Sequence, residues 1–302
     1  MLGRVSLFDR LVVRGLPVVP KPLVRKVAAP YIAGETLDDF VRVARGLNAG
    51  GCRAAGGILG EFVESREAAE VAASDYVRTL DAIDAHGLDS NIHVKLTHFG
   101  LKIDPAFCLR TVRRVVEAAS VHGNFVRIDM EDSSCTDETI DIYLRLRDEF
   151  DNVGVVIQAC LRRSLADVRR LAEVRANVRL CKGIYIEPIA IAYHDPEIVR
   201  RNFVWLLEEL LGAGSYVGIA THDARLVWES ARIIDRLGLG RTHYEFQMLL
   251  GVLPELRGII RDAGHVLRVA VPFGPDWHPY SIRRLRKNPA IAGHVLRAMF
   301  GR

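Results

Sequence analysis

The sequence lacks the marks of a secreted, metal-binding or membrane-spanning protein. Its 302 residues hold five cysteines, Cys52, Cys108, Cys135, Cys160 and Cys181. The total is odd and no two are spaced as CxxC, which counts against a disulfide framework or a cysteine zinc site and fits a reducing compartment. No apolar run reaches the roughly 18 residues of a membrane span. The opening stretch, MLGRVSLFDRLVVRG, mixes charge with apolar residues and has no signal-peptide layout. We expect a cytoplasmic protein, at most peripheral to a membrane and never inserted in it. The formal net charge is only +4, and the basic residues are scattered, so nucleic acid is not an expected partner. There is no HExxH helix and no nucleophile-elbow serine. No GxGxxG follows the first apolar strand, which counts against an open doubly wound dinucleotide fold.

What is present is a repeating unit. At 49% apolar and 26% charged, the chain can build a sizeable core. Residues 1–35 carry Pro17, Pro20, Pro22 and Pro30 and read as an irregular arm, a partner surface or packing beneath the main domain. Thr36 and Asp39 then form an N-terminal capping pattern, and Gly50-Gly51 end that helix. Short apolar strands alternate with amphipathic helices from there on. The strands are expected near Ala54 to Leu59, Asn91 to Leu96, Asn124 to Asp129, Val153 to Ile157, Asn177 to Lys182, Tyr216 to Ala220, His243 to Phe246 and Val266 to Val271. Asp104-Pro105, Thr136 and a Ser164–Asp167 capping pair open three of the helices. Eight such units give an α/β fold, a distorted (βα)8 barrel over residues 46–302 behind an arm and helix over 1–45.

In a barrel the active site lies at the C-terminal strand ends. Here those ends hold Glu61, Lys95, Asp129, Gln158, Arg179, Lys182, His222 and Gln247. Each alone has a plain structural reading as a cap, a snorkelling lysine or a satisfied core histidine. Together they are hard to explain that way, because buried polar groups are costly unless paired or used. After the eighth strand, Pro272 and Gly274 stop the apolar run. Pro279 then sits in the first turn of a helix that carries Tyr280, Arg283 and Arg284. Adjacent guanidiniums suit a carboxylate or phosphate, although Arg286 and Lys287 also allow a simple solvated basic face. The set is basic on balance and offers no clear nucleophile. That combination points to an anionic ligand and an organic cofactor.

The motifs VRIDMED (Val126 to Asp132), VIQACL (Val156 to Leu161), VRLCKGIYIEP (Val178 to Pro188), ATHD (Ala220 to Asp223), YEFQMLLG (Tyr244 to Gly251) and Tyr280-Ser-Ile-Arg283-Arg284 occur in one order. In these the chain resembles the proline dehydrogenase family. The resemblance implies non-covalent FAD, oxidation of L-proline or a similar secondary amino acid to an imine, and a quinone-type electron acceptor. It implies flavin contacts from Met130, Gln158, Arg179, Cys181, Lys182, Gly183, Thr221 and His222, with Asp129 and Arg179 closest to the chemistry. It also implies a substrate pocket of Lys95, Tyr185, Leu249, Tyr280, Arg283 and Arg284, and we expect Lys95 to pair with Asp129. Three positions depart from the family pattern. Ala270 stands where a tyrosine is usual, Ile184 where an alanine is, and Lys287 where a glutamate is. Ala270 would open the substrate pocket and Ile184 would partly refill it. These departures suggest a larger, hydroxylated or doubly anionic amine. Two other classes compete: a barrel lyase or aldolase with Lys95 or Lys182 as Schiff-base amine, and a non-catalytic binding barrel.

Overall fold

A computed structural model describes residues 21–287 of the chain. Eight parallel strands close into a barrel in sequence order. They are β1 (Arg53–Ile58), β2 (Ser90–Val94), β3 (Val126–Ile128), β4 (Val153–Gln158), β5 (Val178–Cys181), β6 (Val217–Ala220), β7 (Tyr244–Leu249) and β8 (Leu267–Phe273). The seam between β1 and β8 pairs six residues, from Arg53 with Arg268 to Ile58 with Phe273. Helices such as Arg66–Ala85, Pro105–Val121 and Pro196–Gly212 follow the strands. Parallel neighbours require such crossovers, and the helices cover the outer face.

The expected units are all present, with local differences. Thr36 and Asp39 form a full capping box on helix Leu37–Ala49. Asp104 caps helix Pro105–Val121, with proline in its first turn. Ser164 does not cap. Its hydroxyl donates to the Gln158 carbonyl at 2.5 Å, and Asp167 instead holds Arg163. Pro272 does not stop β8. The strand runs on to Phe273, and the proline carbonyl accepts from Ala33 N–H at 2.9 Å. Nor is the described part of the arm wholly irregular, or beneath the barrel. Residues Lys21–Ala28 form a helix. Ala28 and Ile32 pack with Leu59, Trp277 and Tyr280 beside the C-terminal ends of β1 and β8. Phe40 stacks on Phe273 with ring centroids 4.9 Å apart, fastening helix Leu37–Ala49 to the same seam.

The barrel interior is unusual. Such interiors are normally filled with Val, Ile and Leu. Here the strands place apolar residues outward against the helices, as with Ile92, Val94, Val126 and Ile128, all fully buried. The alternate positions carry Asn91, His93, Arg127, Arg179, Glu245, Gln247 and Arg268. Contacts between strands that are not neighbours, such as Asp129 with Arg179 and Arg179 with Gln247, can only cross the interior. Glycines make the room. A side chain at Gly57 would overlap the His93 ring, and one at Gly154 would overlap the Arg127 guanidinium.

Candidate active site

Asp129 follows β3 directly and is the hub of the barrel mouth. Its Oδ1 accepts from Arg179 at 2.7 Å and its Oδ2 lies 2.9 Å from His93 Nδ1. Burial pushes the Asp129 carboxyl up. His93, Arg179 and Lys95 outweigh that and hold it far below the usual carboxylate range. On its other side Arg179 donates Nε to Gln247 Oε1 at 2.5 Å. A guanidinium held on two edges by a carboxylate and an amide has one orientation.

Lys95 ends the β2 segment, but it does not pair with Asp129. Its ammonium lies 3.0 Å from Glu61 Oε2. Glu61 follows β1, the neighbour of β2, and so reaches Lys95 first. Burial pulls the Lys95 pKa down, but Glu61, then Asp129 and Glu131, hold it above the ordinary lysine range. A Schiff-base lysine needs the opposite shift, so the lyase reading loses Lys95. Lys182 is 3.0 Å from Asp223, which also holds Arg200 at 2.8 Å.

Around β4 to β6 the remaining expected groups come together. Gln158 is buried and donates to the Glu131 carbonyl at 2.9 Å. Cys181 ends β5 and Lys182 follows it. Gly183 has a φ of +99°, where a side chain is strained, and a Cβ there would overlap Cys160 Sγ. Thr221 is buried after β6 and accepts from Asp223 N–H at 3.1 Å. His222 Nε2 accepts from Leu249 N–H at 2.9 Å. Met130 is buried beside Asp129. Tyr185 is half-buried on the loop after β5, and burial raises its hydroxyl pKa. Leu249 ends β7, and Tyr280 lies half-buried on helix Trp277–Lys287. Arg283 and Arg284 fall on that helix, but their side chains, like that of Lys287, lie outside the described residues. Ile184 is 64% exposed on the loop after β5. Ala270 is half-buried, with Ala55 and Leu249 as its register partners.

Three residues here have no role assigned from the sequence. His93 is one, and the alternation Asn91, His93, Lys95 already placed it on the face of Lys95. Glu131 is the second. It is buried, accepts from Thr97 at 3.0 Å and has its pKa pushed up to about 7, chiefly by burial. Arg268, whose Nε donates to Glu245 at 2.7 Å, is the third.

A family model described as "Proline dehydrogenase" matches residues 40–297. The chain belongs to the proline dehydrogenase family. It is 34% identical over 272 residues to "Proline dehydrogenase 1" of Bacillus subtilis subsp. natto, covering 90% of each chain. It is 33% identical over 278 residues to the proline dehydrogenase of Deinococcus radiodurans, again covering 90% of each. A crystal structure of proline utilization A from Bdellovibrio bacteriovorus, inactivated by N-propargylglycine, superposes with a TM-score of 0.84 at 23% identity. That match covers 97% of this chain and 37% of the longer protein, and at such identity it shows the shared fold. As a proline dehydrogenase, the chain is an oxidoreductase that acts on proline. Among the described residues no group of histidines, cysteines and carboxylates is arranged to hold a metal, and no helix is long and apolar enough to cross a membrane.

Proposed function

We propose that the chain oxidises the C–N bond of L-proline, or of a proline-like secondary amino acid, to an imine, with non-covalent FAD as hydride acceptor. The observation that supports this best is Arg179, clamped between Asp129 and Gln247 among the strand ends that carry Gln158, Lys182, Gly183, Thr221 and His222. The donor set fits a flavin. Lys182 and Arg200 offer cationic heads near Asp223 for a phosphate tail. Gly183, bare and in the left-handed region, lets backbone approach a flat ring. Arg179 is a fixed positive charge for a ring edge that becomes anionic on reduction. When bound, the flavin supplies the two-electron acceptor, taking hydride from the carbon next to nitrogen.

The chain's own residues do the rest. Arg283 and Arg284 grip the substrate carboxylate, and Tyr185, Leu249 and Tyr280 wall its ring. Such fixation can remove on the order of 7–11 kcal/mol of barrier when alignment is ideal. The substrate amine must lose a proton before hydride leaves. Asp129 is held in its charged form by its cationic neighbours, and Lys95 in its charged form by Glu61. Both therefore orient rather than exchange protons near neutrality.

Ala270, flanked in register by Ala55 and Leu249, favours room for a ring larger than proline's, or one carrying a hydroxyl or a second anionic group. Reoxidation by a quinone-type acceptor would complete the cycle. The test is steady-state turnover, with an artificial quinone as acceptor, on L-proline and on larger and hydroxylated cyclic amines. A preference for unmodified proline removes the wider-substrate reading and leaves the oxidation itself standing. Absence of turnover with every amine overturns both.

A further inference from the structure

Inside the barrel His93, Asp129, Arg179, Gln247, Glu245 and Arg268 form one hydrogen-bonded relay, and its Glu245–Arg268 end has no part in the proposed function. Glu245 lies deep in β7 and is 2% exposed. Its Oε1 accepts from Arg268 Nε at 2.7 Å and from Gln247 Nε2 at 2.6 Å. Arg268 is fixed in turn, because its NH1 donates to the Ala54 carbonyl of β1 at 2.8 Å. Burial pushes the Glu245 carboxyl up, and Arg268 more than offsets this, so Glu245 is ionised and can only accept. The Gln247 amide then has a single satisfying orientation, NH2 toward Glu245 and oxygen toward Arg179. That oxygen takes the Arg179 Nε proton, on the guanidinium edge away from Asp129. Gly218 leaves the amide its space, since a Cβ there would lie 2.5 Å from Gln247 Nε2.

We propose that Glu245, held by Arg268, is a positioning residue that sets the rotation of the Gln247 amide and, through it, the plane of the Arg179 guanidinium. Its catalytic consequence rests on the reading of Arg179 as flavin-facing. Without an acceptor at 245 the amide is free to turn. An NH2 then meets a guanidinium that has no acceptor of its own, and Arg179 hangs on Asp129 alone.

Two substitutions at 245 test this. Glu245→Leu removes the acceptor, so Arg268 Nε and the Gln247 NH2 both lose their partner and nothing fixes the amide. Glu245→Gln keeps it, because both bonds fall on Oε1 and an amide oxygen in that place accepts both. Thermal melting of the apoprotein, FAD affinity by fluorescence quenching, and kcat and KM are measured for the three proteins. Glu245→Leu should melt lower, bind FAD less tightly and lose about tenfold or more in kcat, with KM changed less, as for a misplaced electrostatic group. Glu245→Gln should stay within about threefold of the parent. If Glu245→Leu fails to fold, Gln247→Leu, which leaves Glu245 with Arg268 and frees the same edge of Arg179, should show the same loss in kcat. A folded Glu245→Leu with parental kcat would overturn the proposal, as would a Glu245→Gln no better than Glu245→Leu. A parent that binds no FAD would instead overturn the flavin reading, while the melting difference between the two variants at 245 would still report the relay.

Discussion

Replacing Asp129 by alanine is the sharpest perturbation of the barrel mouth. The carboxylate joins β3 to β2 through His93 at 2.9 Å and, across the interior, to β5 through Arg179 at 2.7 Å. Asp129 and Arg179 are both nearly buried, with side chains 17% and 12% exposed, so solvent screens the pair little. Removing one partner of such a pair leaves an uncompensated charge and costs about 3–5 kcal/mol. In a domain of this size that lowers the melting temperature by roughly 6–10 °C. The sign with pH follows from the depressed pKa. The stabilisation is fully present above the unfolded carboxylate value, about 3.9, and is lost as pH falls through the lower folded value. The parent–variant difference should therefore hold steady from pH 5 to 8 and shrink only in acid. Urea denaturation at pH 7.5 and pH 5 is the assay. Asp129→Asn, which can still accept from Arg179 and donate to His93, should recover part of the loss. An alanine variant within about 0.5 kcal/mol of the parent at pH 7.5 would refute the reasoning, because no buried pair would then have been broken.

Two further outcomes follow from the same geometry. Glu131 has a raised pKa, so the folded state holds its proton longer than the unfolded chain does, and stability falls as pH rises from about 4.3 toward 7. Glu131→Gln should therefore match the parent at pH 5 and exceed it by roughly 2–3 kcal/mol at pH 8, read by denaturant titration at both values; equal stability at pH 8 would remove the shift. Gly183→Ala places a β-carbon against Cys160 at a φ of +99°. Melting should fall with a loss of about 1–3 kcal/mol, and the variant should purify with less bound flavin; a fully loaded, equally stable variant would contradict the role given to that turn.

The barrel was legible in the sequence because its unit repeats eight times, with capping residues such as Thr36 and Asp104 marking helix starts. The strand ends were also legible, since polar residues closing nearly every apolar run are together hard to explain as separate caps. What could not be read was which of those residues pair. Lys95 and Asp129 sit at the ends of adjacent strands, yet Glu61 lies closer to the lysine and His93 and Arg179 occupy the aspartate. Partner choice depends on strand register and side-chain reach, which spacing along the chain does not encode. The polar interior was half-visible. The alternation of Arg127 with Asp129, and of Glu245 with Gln247, signals a face. A barrel normally fills that face with aliphatic side chains, so Arg268 inside the apolar run of β8 carries no signal of its partner Glu245. Pro272 misled for a related reason. Proline ends many strands, but here its carbonyl alone finds a partner and the pairing with β1 continues to Phe273.

The most direct measurement is a visible spectrum of the purified protein, followed by anaerobic addition of L-proline. The account predicts the absorption bands of an oxidised flavin, released intact on denaturation because it is not covalently held, and their bleaching as the amino acid is consumed in equimolar amount. A colourless protein that takes up no FAD when it is supplied, or a flavin that no cyclic secondary amino acid reduces, would contradict it.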